Sequence, residues 1–149
     1  MVVDYECRTG IPSDAGTCRA MLKGMLEYLK VRTTCKIGIY TSPGFWAEYG
    51  SADLYWKQYP LWLAHYTPDD APKVPKPWDT WRFWQWTDKG PGIALGAESK
   101  QLDMNWYNGS GEDMRAWAGI DQPEPVLTWQ QSIDAWARTQ GYNGVGPDE

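Results

Sequence analysis

The sequence predicts an α/β fold, either a barrel or an open sheet, and three observations predict it. A strand-like start at Val2 is followed by an amphipathic helical stretch and a second strand-like run, the order of a parallel β-α-β unit. Residues 60–66, Pro60-Leu61-Trp62-Leu63-Ala64-His65-Tyr66, are a continuously apolar run of strand length, the kind buried on both faces of a parallel sheet. Five strand-like runs begin near residues 2, 37, 61, 82 and 102, with long helical crossovers early and nearly helix-free connections late.

Each element has its own signal. Between residues 13 and 30 the apolar side chains Cys18, Met21, Leu22, Met25, Leu26 and Leu29 recur at helical spacing, and Ser13 or Asp14 is placed to cap the first turn after Pro12. Ile37, Ile39 and Tyr40 make residues 36–41 a strand that Ser42-Pro43-Gly44 closes, and a shorter helix is expected over residues 43–49. Four prolines and the acids Asp69 and Asp70 mark residues 67–77 as a surface excursion. Residues 81–87 form an aromatic strand that the Gly-Pro-Gly turn at 90–92 follows, and residues 101–105 form one more. The composition then changes. Residues 121–127 read as a linker, and 128–149 as a final helix, striped by Trp129, Ile133 and Trp136, with a tail that carries no packing signal. Residues 1–120 are therefore expected to form the main body.

At 149 residues and 42% hydrophobic content the chain has enough material for one core. Its net charge of -5, with no cluster of Lys and Arg, argues against nucleic acid as a partner. No apolar run approaches the ~20 residues of a membrane helix, so no membrane partner is expected, and the start lacks the pattern of a signal peptide. Cys7, Cys18 and Cys35 cannot all pair within the chain and form no C-x-x-C; they read as small buried side chains, with room for one disulfide. One histidine and scattered carboxylates compose no metal shell, and no cofactor is implied. Eleven Trp and nine Tyr against two Phe favour surfaces that are apolar in one place and wet in another, as sugar faces are. More than half of the tryptophans are nevertheless expected to be core.

The most telling residues are Asp4 and Glu6. Side chains alternate along a strand that rises ~3.3 Å per residue, so two carboxylates two apart stand on one face roughly 6.6 Å apart at the backbone. A pair of carboxyls, one protonated to donate to a leaving oxygen and one ionised, is the equipment of glycoside hydrolysis. The same spacing also occurs at solvated strand ends, so the pair needs support from elsewhere in the chain.

That support comes from five segments taken together. Val2-Val3-Asp4-Tyr5-Glu6, Gly38-Ile39-Tyr40-Thr41-Ser42, Leu61-Trp62-Leu63-Ala64-His65-Tyr66, Trp81-Arg82-Phe83-Trp84-Gln85-Trp86-Thr87 and Leu102-Asp103-Met104-Asn105-Trp106-Tyr107-Asn108-Gly109-Ser110 stand in the order found in glycoside hydrolase family 25 muramidases. The chain resembles the second half of these Chalaropsis-type lysozymes over roughly residues 1–117. The resemblance implies a TIM-like barrel of the (β/α)5β3 type, of which this chain holds the last five strands. Three strands would lie upstream, together with a first-strand Asp that has no match here.

In that register the carboxyl ends of the strands bring Glu6, Tyr40, Tyr66, Gln85 and Asp103 together. The resemblance implies that Glu6 is the proton donor, and crowding by Asp4 and Asp103 is expected to raise its pKa. Asp4 stays ionised, either orienting a substrate N-acetyl group or serving as base for a water. Asp103 holds the charge of the pocket or bonds a sugar. Tyr40, Tyr66, Gln85 and Trp62 are candidate substrate contacts, although Trp62 and Ala64, on Tyr66's strand face, could equally fill the barrel interior. His65 should point the other way, toward the helix layer.

The implied activity is cleavage of the β-1,4 bond between N-acetylmuramic acid and N-acetylglucosamine in peptidoglycan, with glycan strands as the partner. The implied location is extracellular, or that of a phage endolysin released at host lysis. The alternative is a catalytically silent carbohydrate-binding or scaffold fragment of such a barrel. A chitinase-like enzyme, which also carries Asp-x-Glu on its fourth strand, would need further acids upstream of Met1. Five strands of an eight-stranded barrel leave open edges, so the chain is expected to join a missing N-terminal half or to self-associate.

Overall fold

The computed structural model describes residues 1–7 and 14–120. Within the unit Met1–Asn108 the elements are β1 (Val2–Asp4), α1 (Ala15–Lys30), β2 (Gly38–Thr41), α2 (Pro43–Tyr49), β3 (Leu61–Ala64), β4 (Phe83–Pro91) and β5 (Gln101–Tyr107). A second compact unit begins at Gly109 and carries α3 (Gly111–Ala118). The expected linker and final helix lie outside the described residues.

The five strands form one sheet in the order β1-β2-β3-β4-β5. The first three pairings are parallel and the last, β4 with β5, is antiparallel. The fold is mixed α/β, and the sheet is open: among the described residues β1 and β5 are its edges and no closed barrel forms. Strand β4 continues past Thr87, and Gly90 and Pro91, expected to turn, still pair with Leu102 and Gln101. An antiparallel partner arriving through a short connection lets the ladder run on to the hairpin's end.

Register sorts the side chains onto two faces. Val3, Ile39, Leu61 and Leu63 alternate onto one face with the buried Thr41 and Trp84 and meet Leu22 and Leu26 of α1. Asp14 opens that helix, its carboxylate accepting the backbone N–H groups of Gly16 and Thr17. Trp46 of α2 lies at the centre of the same core, edge-on to Trp56 and Trp78, and its indole N–H donates to the Lys76 carbonyl at 2.7 Å.

Three expectations change. The run 60–66 is not buried on both faces, because Trp62 and Ala64 of β3 are only half-buried and Trp62 lines a cleft. The stripe of α1 is narrower than its sequence pattern: Met21 and Met25 are 68% and 55% exposed, since only Leu22 and Leu26 point squarely at the sheet. The cysteines are not buried; Cys7 and Cys35 are exposed, Cys18 is half-buried, and all three are thiols. Of the nine tryptophans among the described residues four are buried, Trp46, Trp56, Trp78 and Trp84, and Trp81 packs against the core.

Candidate active site

The sheet face opposite the helices carries the chemistry. Asp4 is the last residue of β1, but the Tyr5 N–H still donates to the Tyr40 carbonyl at 2.8 Å, so extended pairing runs one residue further and Glu6 follows on Asp4's side. Between them Tyr5 turns to the core, where its hydroxyl donates to the Tyr49 carbonyl at 2.8 Å. Asp4, Glu6, Tyr40, Trp62, Gln85 and Asp103 line one cleft of about 300 Å³, with Val2 at its wall. Both carboxylates of the Asp-x-Glu pair are exposed at its surface. Among the described residues no Lys or Arg is ion-paired with Asp4, Glu6 or Asp103.

Each wall is positioned by its strand. Tyr40 of β2 is half-buried, and its hydroxyl donates to Gln85 Oε1 at 2.5 Å. Gln85 on β4 is 3% exposed, so its amide orientation is held by that bond and by packing. Burial raises the Tyr40 pKa well above the ordinary tyrosine value, and the charges of Glu6, Tyr66, Asp103 and Asp4 raise it further. Tyr40 is therefore a neutral donor throughout the working pH range. Trp62 of β3 stands edge-on to Tyr40, ring centroids 5.7 Å apart, and its indole N–H donates to Asn105 Oδ1 at 2.8 Å.

Six of the seven candidate residues thus share the cleft. Tyr66 is the exception: it lies beyond the end of β3, 54% exposed, and reaches the group electrostatically through Tyr40. His65 faces α2 as expected, lining a separate hollow with Trp46 and Ala47, and its Nδ1 accepts the Lys73 backbone N–H at 3.2 Å. Sequence reasoning missed Val2 and Asn105. The period-two rule that singled out Asp4 and Glu6 also places Asn105 beside Asp103 on β5, so that signal was present. Among the described residues no cluster of His, Cys, Asp and Glu has the arrangement of a metal site.

The strand ends of this α/β sheet thus present paired carboxylates, a tyrosine and an indole to one cleft. Residues 1–93 match the family described as Glycosyl hydrolases family 25, and the chain belongs to that family. It is 37% identical over 90 residues to Lysozyme M1 of Streptomyces globisporus, covering 60% of this chain and 29% of that protein. It is 33% identical over 118 residues to the uncharacterized protein YegX of Escherichia coli strain K12, covering 77% of this chain and 39% of that one. Among solved structures, the bacterial lysozyme of Streptomyces coelicolor superposes with a TM-score of 0.65 at 24% identity, over 81% of this chain and 55% of that one. The muramidase of Acremonium alcalophilum gives a TM-score of 0.66 at 23% identity, over 80% and 56%. The chain spans about half the length of these structures and at most 39% of the curated relatives.

Proposed function

We propose that the protein to which this chain belongs is a peptidoglycan hydrolase, an N-acetylmuramidase that cleaves the β-1,4 bond between N-acetylmuramic acid and N-acetylglucosamine. The observation that carries this reading is the single cleft shared by Asp4, Glu6 and Asp103 with Tyr40, Trp62 and Gln85. Family membership and the likeness to Lysozyme M1 support it. The five strands are then the last five of a (β/α)5β3 barrel, residues 1–120 its catalytic part, 121–127 a linker and 128–149 a C-terminal helix and tail.

Glu6 gives its proton to the glycosidic oxygen as the bond to the anomeric carbon breaks. Asp4, ionised, either orients the substrate N-acetyl oxygen toward that carbon or takes a proton from an attacking water. The two routes differ in product, since attack by the N-acetyl group followed by water retains the anomeric configuration and direct attack by water inverts it. Asp103 holds negative charge opposite the developing positive charge of the sugar ring. Gln85 keeps its Nε2 group to donate to an acetamide or hydroxyl while its Oε1 is engaged by Tyr40. Tyr66 contacts the glycan at the cleft's rim, and the enzyme meets it in the extracellular wall or on release at lysis.

The test is turbidity loss and reducing-end release from purified peptidoglycan by the protein extended upstream by three strand-helix units, compared with its Glu6→Gln variant. Turnover that falls by about 10²- to 10⁴-fold in Glu6→Gln, the usual contribution of a general acid, supports the assignment. Wall binding without turnover in the extended form would leave a carbohydrate-binding fragment instead.

A further inference from the structure

Three residues of the cleft, Asp4, Tyr40 and Trp62, stand on one rung of the sheet. Asp4 pairs with Tyr40, Tyr40 with Trp62, Trp62 with Phe83 and Phe83 with Tyr107, so five side chains from five strands stand in register on one face. The four rings touch in sequence, with centroids 5.7, 5.4 and 5.3 Å apart and interplanar angles of 89°, 44° and 58°. On the next rung Ala64 pairs with Gln85 and Gln85 with Asn105. The small side chain of Ala64 on that second rung leaves the indole of Trp62 room to lean across the strands.

Asn105 uses that room. Its Oδ1 accepts the Trp62 indole N–H at 2.8 Å, and its Nδ2 donates to the Asp103 carbonyl at 3.4 Å, which fixes which end of the amide faces the indole. An indole has one donor and no acceptor. With that donor taken by Asn105, Trp62 has nothing polar left to offer a ligand, and what it presents in the cleft is ring surface.

We propose that Asn105 is a positioning residue for glycan binding: it clamps the Trp62 indole between Tyr40 and Phe83 as a rigid wall on which the apolar face of an N-acetylhexosamine stacks. Trp62 is then a stacking platform and not a hydrogen-bond donor. A clamped ring loses less rotamer freedom when a ligand binds, which is how a residue that does not touch the sugar raises affinity. The inference rests on the glycan-cleaving reading of the same cleft.

The experiment is a thermodynamic cycle in the full-length protein carrying Glu6→Gln, so that ligand is bound and not consumed. Binding of a neutral N-acetylglucosamine tetramer is measured by calorimetry for the parent, Asn105→Ala, Trp62→Phe and the double variant. Asn105→Ala is expected to weaken binding about three- to tenfold when residue 62 is Trp and by less than about twofold when it is Phe, because phenylalanine has no N–H to clamp. An equal loss in both backgrounds means that Asn105 acts on the sugar directly or through general destabilisation, and overturns the clamp. No loss in the Trp background overturns it as well. Failure of the parent to bind any glycan removes the glycan reading itself, an outcome distinct from the other two. As a check on the bond alone, the Trp62 indole proton should exchange faster with solvent in Asn105→Ala.

Discussion

Two residues on β2 and one just past β1 make testable statements about buried polar groups. The Thr41 hydroxyl is fully buried with no partner among the described residues, so it contributes volume at the cost of a lost hydrogen bond to water. Thr41→Val keeps the shape and removes the orphan, and should raise stability by about 1 kcal/mol in urea unfolding. Tyr5, buried among aromatic rings, is pushed up to about 12, with the nearby Cys18 adding to the effect of burial. Tyr40 is shifted in the same direction. Because the folded values lie above the unfolded value of about 10, their contribution to stability is complete below pH 10 and is lost as pH rises through the folded values. Absorbance titration should show these tyrosines ionising after the exposed ones, together with alkaline unfolding. Ionisation of every tyrosine near pH 10 with the fold intact would contradict this.

At the scale of elements, α1 is held by its two inward leucines. Leu26 is 0% exposed and packs in the cluster with Ile39, Leu61 and Leu63, so Leu26→Ala should cost about 2–5 kcal/mol, read as a lower urea midpoint. Met21→Ala, on the exposed side of the same helix, should change the midpoint little. Equal effects would mean that the helix sits on the sheet through a different face. Helical spacing identified α1, apolar, β-rich and aromatic runs marked the five strands, α2 was expected over residues 43–49, and Asp14 was one of two cap candidates, because these signals are local. The extension of β4 to Pro91 was not legible, since it depends on backbone bonds supplied by β5. Helix α3 was overlooked although Ser110 and Asp113 spell out its capping box.

On the scale of the whole chain, the open β1 edge adjoins an apolar hollow lined by Val3, Cys18, Met21, Met25 and Phe45. Unpaired strand edges beside apolar surface invite association. The 149-residue chain studied alone should show concentration-dependent association by light scattering, and the form extended upstream should not. A monodisperse monomer with one cooperative thermal transition would refute this. The sequence by itself determined the order of elements, the family likeness and the candidacy of Asp4, Glu6 and Asp103, because alternation and capping act over a few residues and a strand's two faces follow from its period. Only the tertiary structure decided that Tyr40 donates to Gln85, that Asn105 holds Trp62 and that Tyr66 stands outside the cleft. Those facts depend on register between strands that are 20 to 45 residues apart in the chain, which no local pattern encodes.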